Sequence, residues 1–205
     1  MTRIYLTRHG QTDWNVQKRM QGQNNSPLTV LGVQQAKALG GHLSGIELSA
    51  VYSSSSLRAL QTAELIMGKR MPDIILEDDL REISLGSWEG MFYSEIESLY
   101  PEQFDHFWNH PEKYVPLDGE TYGALRKRFS SKVEEIAKKH QGETVLIVAH
   151  ATALKTLYTY FRCQSIRDIV YAPSVKSACL CIVEKDYGIW NIMKWNETEH
   201  LESLL

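Results

Sequence analysis

Strand-like and helix-like segments alternate along most of this 205-residue chain. That alternation narrows the fold more than any other feature, because it calls for a mostly parallel sheet with helices packed on it. Apolar β-type runs are expected at Ile4–Thr7, Ala50–Ser53, Ile74–Leu76 and Thr144–Ala149. The last is apolar without interruption, as a central parallel strand buried on both faces should be. A polar loop runs from the first strand to Asn25, and Pro27-Leu28-Thr29 then opens a helix reaching about Leu43, with Thr29 as N-cap. Its apolar residues Val30, Val33, Ala36, Leu39 and Leu43 recur at helical spacing. Further helices are expected at about Leu57–Met67, Glu120–His140 and Thr152–Phe161. Ala178–Glu184 and Ile189–Trp195 read as a terminal hairpin turned at Lys185–Gly188. The expected fold is a three-layer α/β/α sandwich with a mostly parallel central sheet, one domain spanning 1–205, with a lid inserted at about 90–122.

Bulk properties exclude several functions. Hydrophobic residues make up 43% of the chain and charged residues 23%, a globular profile. A net charge of -3 gives no electrostatic reason to expect nucleic acid. No apolar run approaches the roughly 20 residues that cross a bilayer, so no membrane partner is expected. No basic region followed by a hydrophobic signal core opens the chain, which makes the cytoplasm the expected compartment. Cys163, Cys179 and Cys181 form no C-x-x-C pair, and Cys179 and Cys181, at strand spacing, read as small core residues.

Polar residues follow the strands at four places. The first is Thr7-Arg8-His9-Gly10, the second Ser53-Ser-Ser-Ser-Leu-Arg58 with Thr62 beyond it, the third Leu80-Arg81-Glu82 with Gly86-Ser-Trp-Glu-Gly90, and the fourth Val148-Ala149-His150-Ala151. Parallel strands in an α/β fold end on one edge of the sheet, so these groups can converge. Neutral histidine is a nucleophile and arginine is a permanent cation, which together suit attack on an anionic centre. Each residue alone has an ordinary reading, as a turn, a capped histidine or a solvated charge. His9, His150 and Glu82 also form a two-histidine, one-carboxylate set of the kind that binds metal. Two neighbouring arginines would repel a cation, however, and no H-E-x-x-H helix is present, so no metal and no cofactor are expected.

Taken together, the four segments resemble the histidine phosphatase superfamily, the phosphoglycerate mutase-like proteins, over essentially the whole chain. Phe104-Asp-His-Phe-Trp108 and Gly142-Glu-Thr-Val-Leu-Ile-Val148 look most like the small bacterial broad-specificity phosphatases of that family. The resemblance implies a phosphohistidine intermediate on His9 and general acid/base work by Glu82. Arg8, Arg58 and His150 would hold the phosphoryl oxygens, and Asn15, Gln21, Gly22 and Ala151 would add substrate contacts. Arg19-Met20 falls in the same loop. Ala151-Thr152 departs from the family, which usually has glycine after the second histidine, and this adds a methyl group near the phosphate position.

The lid carries Phe92, Tyr93, Tyr100, Phe104, Phe107, Trp108, Tyr114 and Tyr122 but only one Lys or Arg, Lys113. A second phosphate would need further cations. The expected substrate is therefore a small-molecule phosphomonoester with a neutral or apolar leaving group, and about half of the aromatics are expected to face it. A cofactor-dependent phosphoglycerate mutase is the alternative enzyme. A catalytically inactive binding module is the alternative of another class, against which His9 and Glu82 both stand.

Overall fold

The computed structural model describes residues 1–70 and 72–204. In chain order the elements are β1 (Thr2–Arg8), α1 (Asp13–Val16), α2 (Val30–His42), β2 (Ala50–Ser54), α3 (Leu57–Met67), β3 (Ile74–Glu77), α4 (Tyr93–Leu99), α5 (Pro101–Asn109), α6 (Tyr122–Lys139), β4 (Thr144–Ala149), α7 (Ala151–Phe161), β5 (Leu180–Asp186) and β6 (Ile189–Glu197). They form a six-stranded sheet of order β3-β2-β4-β1-β5-β6. The first four of these strands are parallel neighbours, and β5 and β6 continue the sheet antiparallel.

Side chains alternate across a strand, so each central strand feeds two cores. Ile4 and Leu6 of β1, with Val145, Ile147 and Ala149 of β4, meet Leu125, Phe129 and Val133 of α6 and Leu154 and Leu157 of α7. Tyr5, Val51, Leu146 and Val148 point the other way, onto Leu39 of α2 and Ala59, Ala63 and Ile66 of α3. The result is the expected three-layer α/β/α sandwich, and full burial of such a side chain stabilises it by about 1.5–3 kcal/mol. Cys179 and Cys181 are free, fully buried and on one core face.

This arrangement creates the site. β1 and β4 are adjacent and parallel, with Arg8 paired to Ala149 at their carboxyl ends. The chain leaves β1 toward α2 on one face and leaves β4 directly into α7 on the other. A crevice opens where neighbouring strands part in this way, and α/β sheets bind their ligands there.

Three local readings differ from the sequence expectation. The loop after β1 contains α1, a four-residue turn too short for any periodicity, held by a capping box in which the Thr12 and Asn15 side chains bond each other's backbone amides. The long helix starts at Tyr122 rather than Glu120, because Thr121 is its N-cap and accepts from Ala124 N. The hairpin turn is two residues, Tyr187 and Gly188, at φ 47° and 84°. Two positive φ values match the right-handed strand twist, so pairing reaches Asp186. Among the described residues no helix is long and apolar enough to cross a membrane.

Candidate active site

His9 follows the last residue of β1 and His150 follows the last residue of β4, so pairing of those strands sets the rings side by side, 5.3 Å between centroids. The backbone N–H of His9 donates to Ala149 O at 3.0 Å and locks the two strand ends together. Gly10 then passes so close to α2 that an added Cβ would stand 2.5 Å from Gly32 O, so only glycine permits this approach.

His9 is buried, and its Nδ1 lies 2.8 Å from Gly10 O. A carbonyl only accepts, so Nδ1 carries the hydrogen and Nε2 keeps its lone pair. Burial, reinforced by Arg58 and Arg8, holds the imidazole well below the usual histidine pKa of 6.5, so the ring is neutral at neutral pH. His150 is fully buried and is likewise pushed well below 6.5, by burial first and then by Arg58. Its Nε2 lies 2.8 Å from Ser54 Oγ at the end of β2, while Nδ1 has no partner among the described residues. Ser54 Oγ also lies 3.2 Å from Ser56 Oγ, and when its one hydrogen turns to Nε2 of His150, Nδ1–H is free to donate to an anion.

Arg58 sits in the first turn of α3, just beyond β2, with only 1% of its surface exposed. Its guanidinium donates to Asn24 O at 2.6 Å and Gly22 O at 2.7 Å, and Nε is unpaired. Burial brings its pKa down to about 10, with Glu82 opposing that shift. Arg8 donates to Val175 O at 2.9 Å and also has an unpaired, buried Nε. Burial lowers its pKa as well, again with Glu82 opposing. A buried and a half-buried guanidinium with open donors beside two neutral imidazoles form a receptor for an anion rather than a cation.

Glu82 arrives from the loop after β3 and lies against the start of α7. Its Oε1 accepts from Ile83 N and Ala153 N, each at 3.0 Å, and Oε2 accepts from Thr152 N at 3.0 Å. A carboxylate has about four lone-pair sites, so the one left on Oε2 is where a proton can be held. Arg128 of α6 fixes this loop through Asp79 O at 2.8 Å and Arg81 O at 3.1 Å, and is itself paired with Glu120 at 2.8 Å. Glu89, the other carboxylate of the third motif, has a different task. Its oxygens accept from Gln23, Asn24 and Leu85 N–H, which shapes the loop presenting Gly22. Gly22 holds φ 51°, a left-handed backbone, pressed against the Glu89 carboxylate.

These groups surround a cavity of about 360 Å³. Arg8, His9, Asn15, Gln21, Gly22, Arg58, Glu82 and Ala151 all line it, whereas His150 is not part of the lining and reaches the site only through its ring, 5.3 Å from that of His9. Asn15 uses its Oδ1 for Thr12, and Gln21 donates to Thr12 Oγ1 at 2.8 Å, which leaves its own Oε1 unpaired. The Ala151 methyl stands where the family usually has none, in the cavity wall. Among the described residues no cluster of three or more His, Cys, Asp or Glu is arranged to hold a metal ion.

Of the eight aromatics named within 90–122, Tyr93, Phe107, Trp108 and Tyr122 line the cavity. Tyr114 instead packs on Trp88, Phe107 and Tyr122. The sequence reading missed two contributions. Ile169 and Val170 come from a 3-10 helix after α7 (Ile166–Tyr171), and Ser174 and Val175 from the loop beyond it, pieces too short to show a period. Lys155 of α7 lies three and four residues beyond Thr152 and Ala151, a helical spacing that could have placed it on the cavity face. Its presence corrects the expectation of a leaving-group chamber without further cations, which rested on lid composition alone.

The chain belongs to the histidine phosphatase superfamily (branch 1), whose profile it matches over residues 4–198. It is 34% identical to a metal-independent phosphoserine phosphatase of Arabidopsis thaliana, over all of this chain and 85% of that protein. It is 32% identical to phosphoglycerate mutase-like protein 4 of the same plant, over 97% of this chain and 86% of that one. Among solved structures, Bacillus stearothermophilus YhfR superposes with a TM-score of 0.97 at 42% identity, covering 98% of this chain and 100% of that one.

Proposed function

We propose that the protein hydrolyses small phosphomonoesters through a phosphohistidine on His9, with residues 90–122 closing over the leaving group as the lid of a single domain. The observation that carries this reading is the His9 Nδ1–H bond to Gly10 O, which leaves a neutral ring with its Nε2 lone pair beside Arg8 and Arg58. In the first step that lone pair forms the N–P bond while the ester P–O bond breaks, and Glu82 gives its proton to the departing oxygen. Arg8, Arg58 and His150 donate to the phosphoryl oxygens as charge spreads over them, and Asn15, Gln21, Gly22 and Ala151 complete the phosphate cradle. In the second step Glu82 takes a proton from water as the water oxygen bonds to phosphorus. The N–P bond then breaks and its electrons return to Nε2. Throughout, Gly10 O holds the Nδ1 proton and the ring's orientation.

Phosphatase is favoured over mutase because Arg8 and Arg58 serve the first phosphoryl group and Lys155 is the one further cation on the cavity wall with no internal partner among the described residues. Arg19 also lines the wall, but it donates to Gly90 O at 2.6 Å and stacks 3.6 Å from the Phe92 ring. The sequence similarity to a phosphoserine phosphatase supports the same choice. The test is phosphate release from phenyl phosphate by wild type and His9→Ala, with acid-labile labelling of the protein in the first turnover. Wild type should turn over and label, and His9→Ala should do neither while keeping its unfolding temperature. Turnover by His9→Ala, or transfer of the phosphoryl group between hydroxyls of a phosphoglycerate in place of release, would refute the assignment.

A further inference from the structure

We propose that Lys155 is the selectivity residue of the leaving-group chamber, binding a single carboxylate carried by the alcohol half of the substrate. This rests on the phosphomonoester reading above and adds to it the chemistry of the group that departs.

Lys155 lines the same cavity as His9, Arg8 and Glu82. It is half-buried, and among the described residues it has neither a hydrogen bond nor an ion pair, whereas most basic side chains of the chain that are comparably enclosed have found partners (Arg128 with Glu120, Lys185 with Glu134). A desolvated ammonium without an anion costs stability, so its position is not explained by the fold. Burial lowers its pKa, and the charge of Arg8, which lines the same cavity, lowers it further. Nothing in the folded chain rewards that charge, but an anion arriving with the substrate would.

Geometry says which anion. Lys155 stands one helical turn beyond Ala151, so its Cα lies about 6 Å further along α7 than the residue at the phosphate cradle. The cavity that Lys155 lines is also lined by Tyr93, Phe107, Trp108, Ile169 and Val170, with Thr152 and Ser174 as small polar neighbours. A lysine is a compact point charge with three donors, and the arginine forks suited to a second phosphate are already committed at the first. One unpartnered ammonium, in a chamber whose other free-standing cation, Arg19, is bound to Gly90 O, fits one negative charge, a carboxylate a few bonds from the ester oxygen.

The experiment compares 3-phosphoglycerate with glycerol 3-phosphate, which differ by a carboxylate against a hydroxymethyl group. Wild-type kcat/KM should favour 3-phosphoglycerate, and in Lys155→Met the ratio of the two should fall about ten- to a hundred-fold, the range of a hydrogen bond to a charged group. The fall should lie mainly in KM, and Lys155→Arg should recover most of it. Dissociation constants for both compounds, measured by calorimetry on His9→Ala and on His9→Ala/Lys155→Met, should show the same ratio without turnover. An unchanged ratio in Lys155→Met, or equal losses on both compounds, would overturn the proposal, the second by placing Lys155 on the phosphoryl group. Binding selectivity that depends on Lys155 in a wild-type protein that releases no phosphate would instead leave this proposal standing and refute hydrolysis.

Discussion

Glu82→Gln separates two roles of one side chain, the hydrogen bonding that the geometry shows and the proton donation proposed above. The carboxylate accepts three backbone N–H bonds, two on Oε1 and one on Oε2. Glutamine keeps one acceptor oxygen. If that oxygen retains Ile83 and Ala153, its NH2 must face the Thr152 N–H, donor against donor. The variant thus loses one hydrogen bond to a charged group, a cost of about 1.5–3 kcal/mol. It also removes the negative charge that offsets Arg8 and Arg58. At about 2–4 °C per kcal/mol for a chain of this size, the unfolding temperature should drop by about 3–12 °C. Catalysis should suffer separately. Without a proton donor, phosphorylation by an alkyl phosphate should slow by about 10²–10⁴-fold. An aryl phosphate should lose much less, since its phenolate departs without help. Calorimetric unfolding and single-turnover phosphorylation with the two esters read both effects. An unchanged unfolding temperature would show that the α7 amides do not depend on Glu82. Equal kinetic losses on both esters would show that it is not the acid for the leaving group. Glu89 is no substitute, because backbone amides of the Gly22 loop and of Leu85 occupy its carboxylate.

Two further outcomes follow from the same geometry. His9 and His150 are both held below the ordinary value of 6.5, so the unfolded chain binds more protons than the folded one just below that pH. Their contribution to stability is complete above 6.5 and is lost as pH falls toward the folded values, at up to about 1.4 kcal/mol per pH unit for each ring. A His9→Gln/His150→Gln double variant should show a shallower decline of unfolding temperature between pH 7.5 and 5 (a buffer range of about these limits suffices), and an identical decline would contradict the assignment. Arg128→Ala should cut kcat by about 10–100-fold with a smaller change in KM, because it frees the loop that positions Glu82, and Arg128→Lys should restore part of it. Matched losses in kcat and KM, or no rescue, would make Arg128 merely structural.

The gathering of Arg8, His9, Arg58 and Glu82 in one cavity was legible in the order of residues because each ends or follows a strand that its own apolar pattern reveals. Ile4–Thr7 and Thr144–Ala149 announce strands, and so place His9 and His150 at strand ends. Thr29 announces its helix because a hydroxyl before an amphipathic run caps it, and it does accept from Gly32 N at 3.0 Å. What the sequence could not decide were matters of orientation between segments distant along the chain. Whether Glu82 meets α7 depends on seventy residues of intervening chain being folded back by Arg128 and the sheet. The separate tasks of Glu82 and Glu89, seven residues apart in one motif, depend on which backbone amides each one reaches. Lys155 became part of the chamber only when α7 packed with that face toward the cavity, and a lid composition counted over 90–122 could not include it. Periodicity and capping are local and survive in one dimension, whereas a tautomer, an unpaired donor or a shared wall exists only once distant segments are in contact.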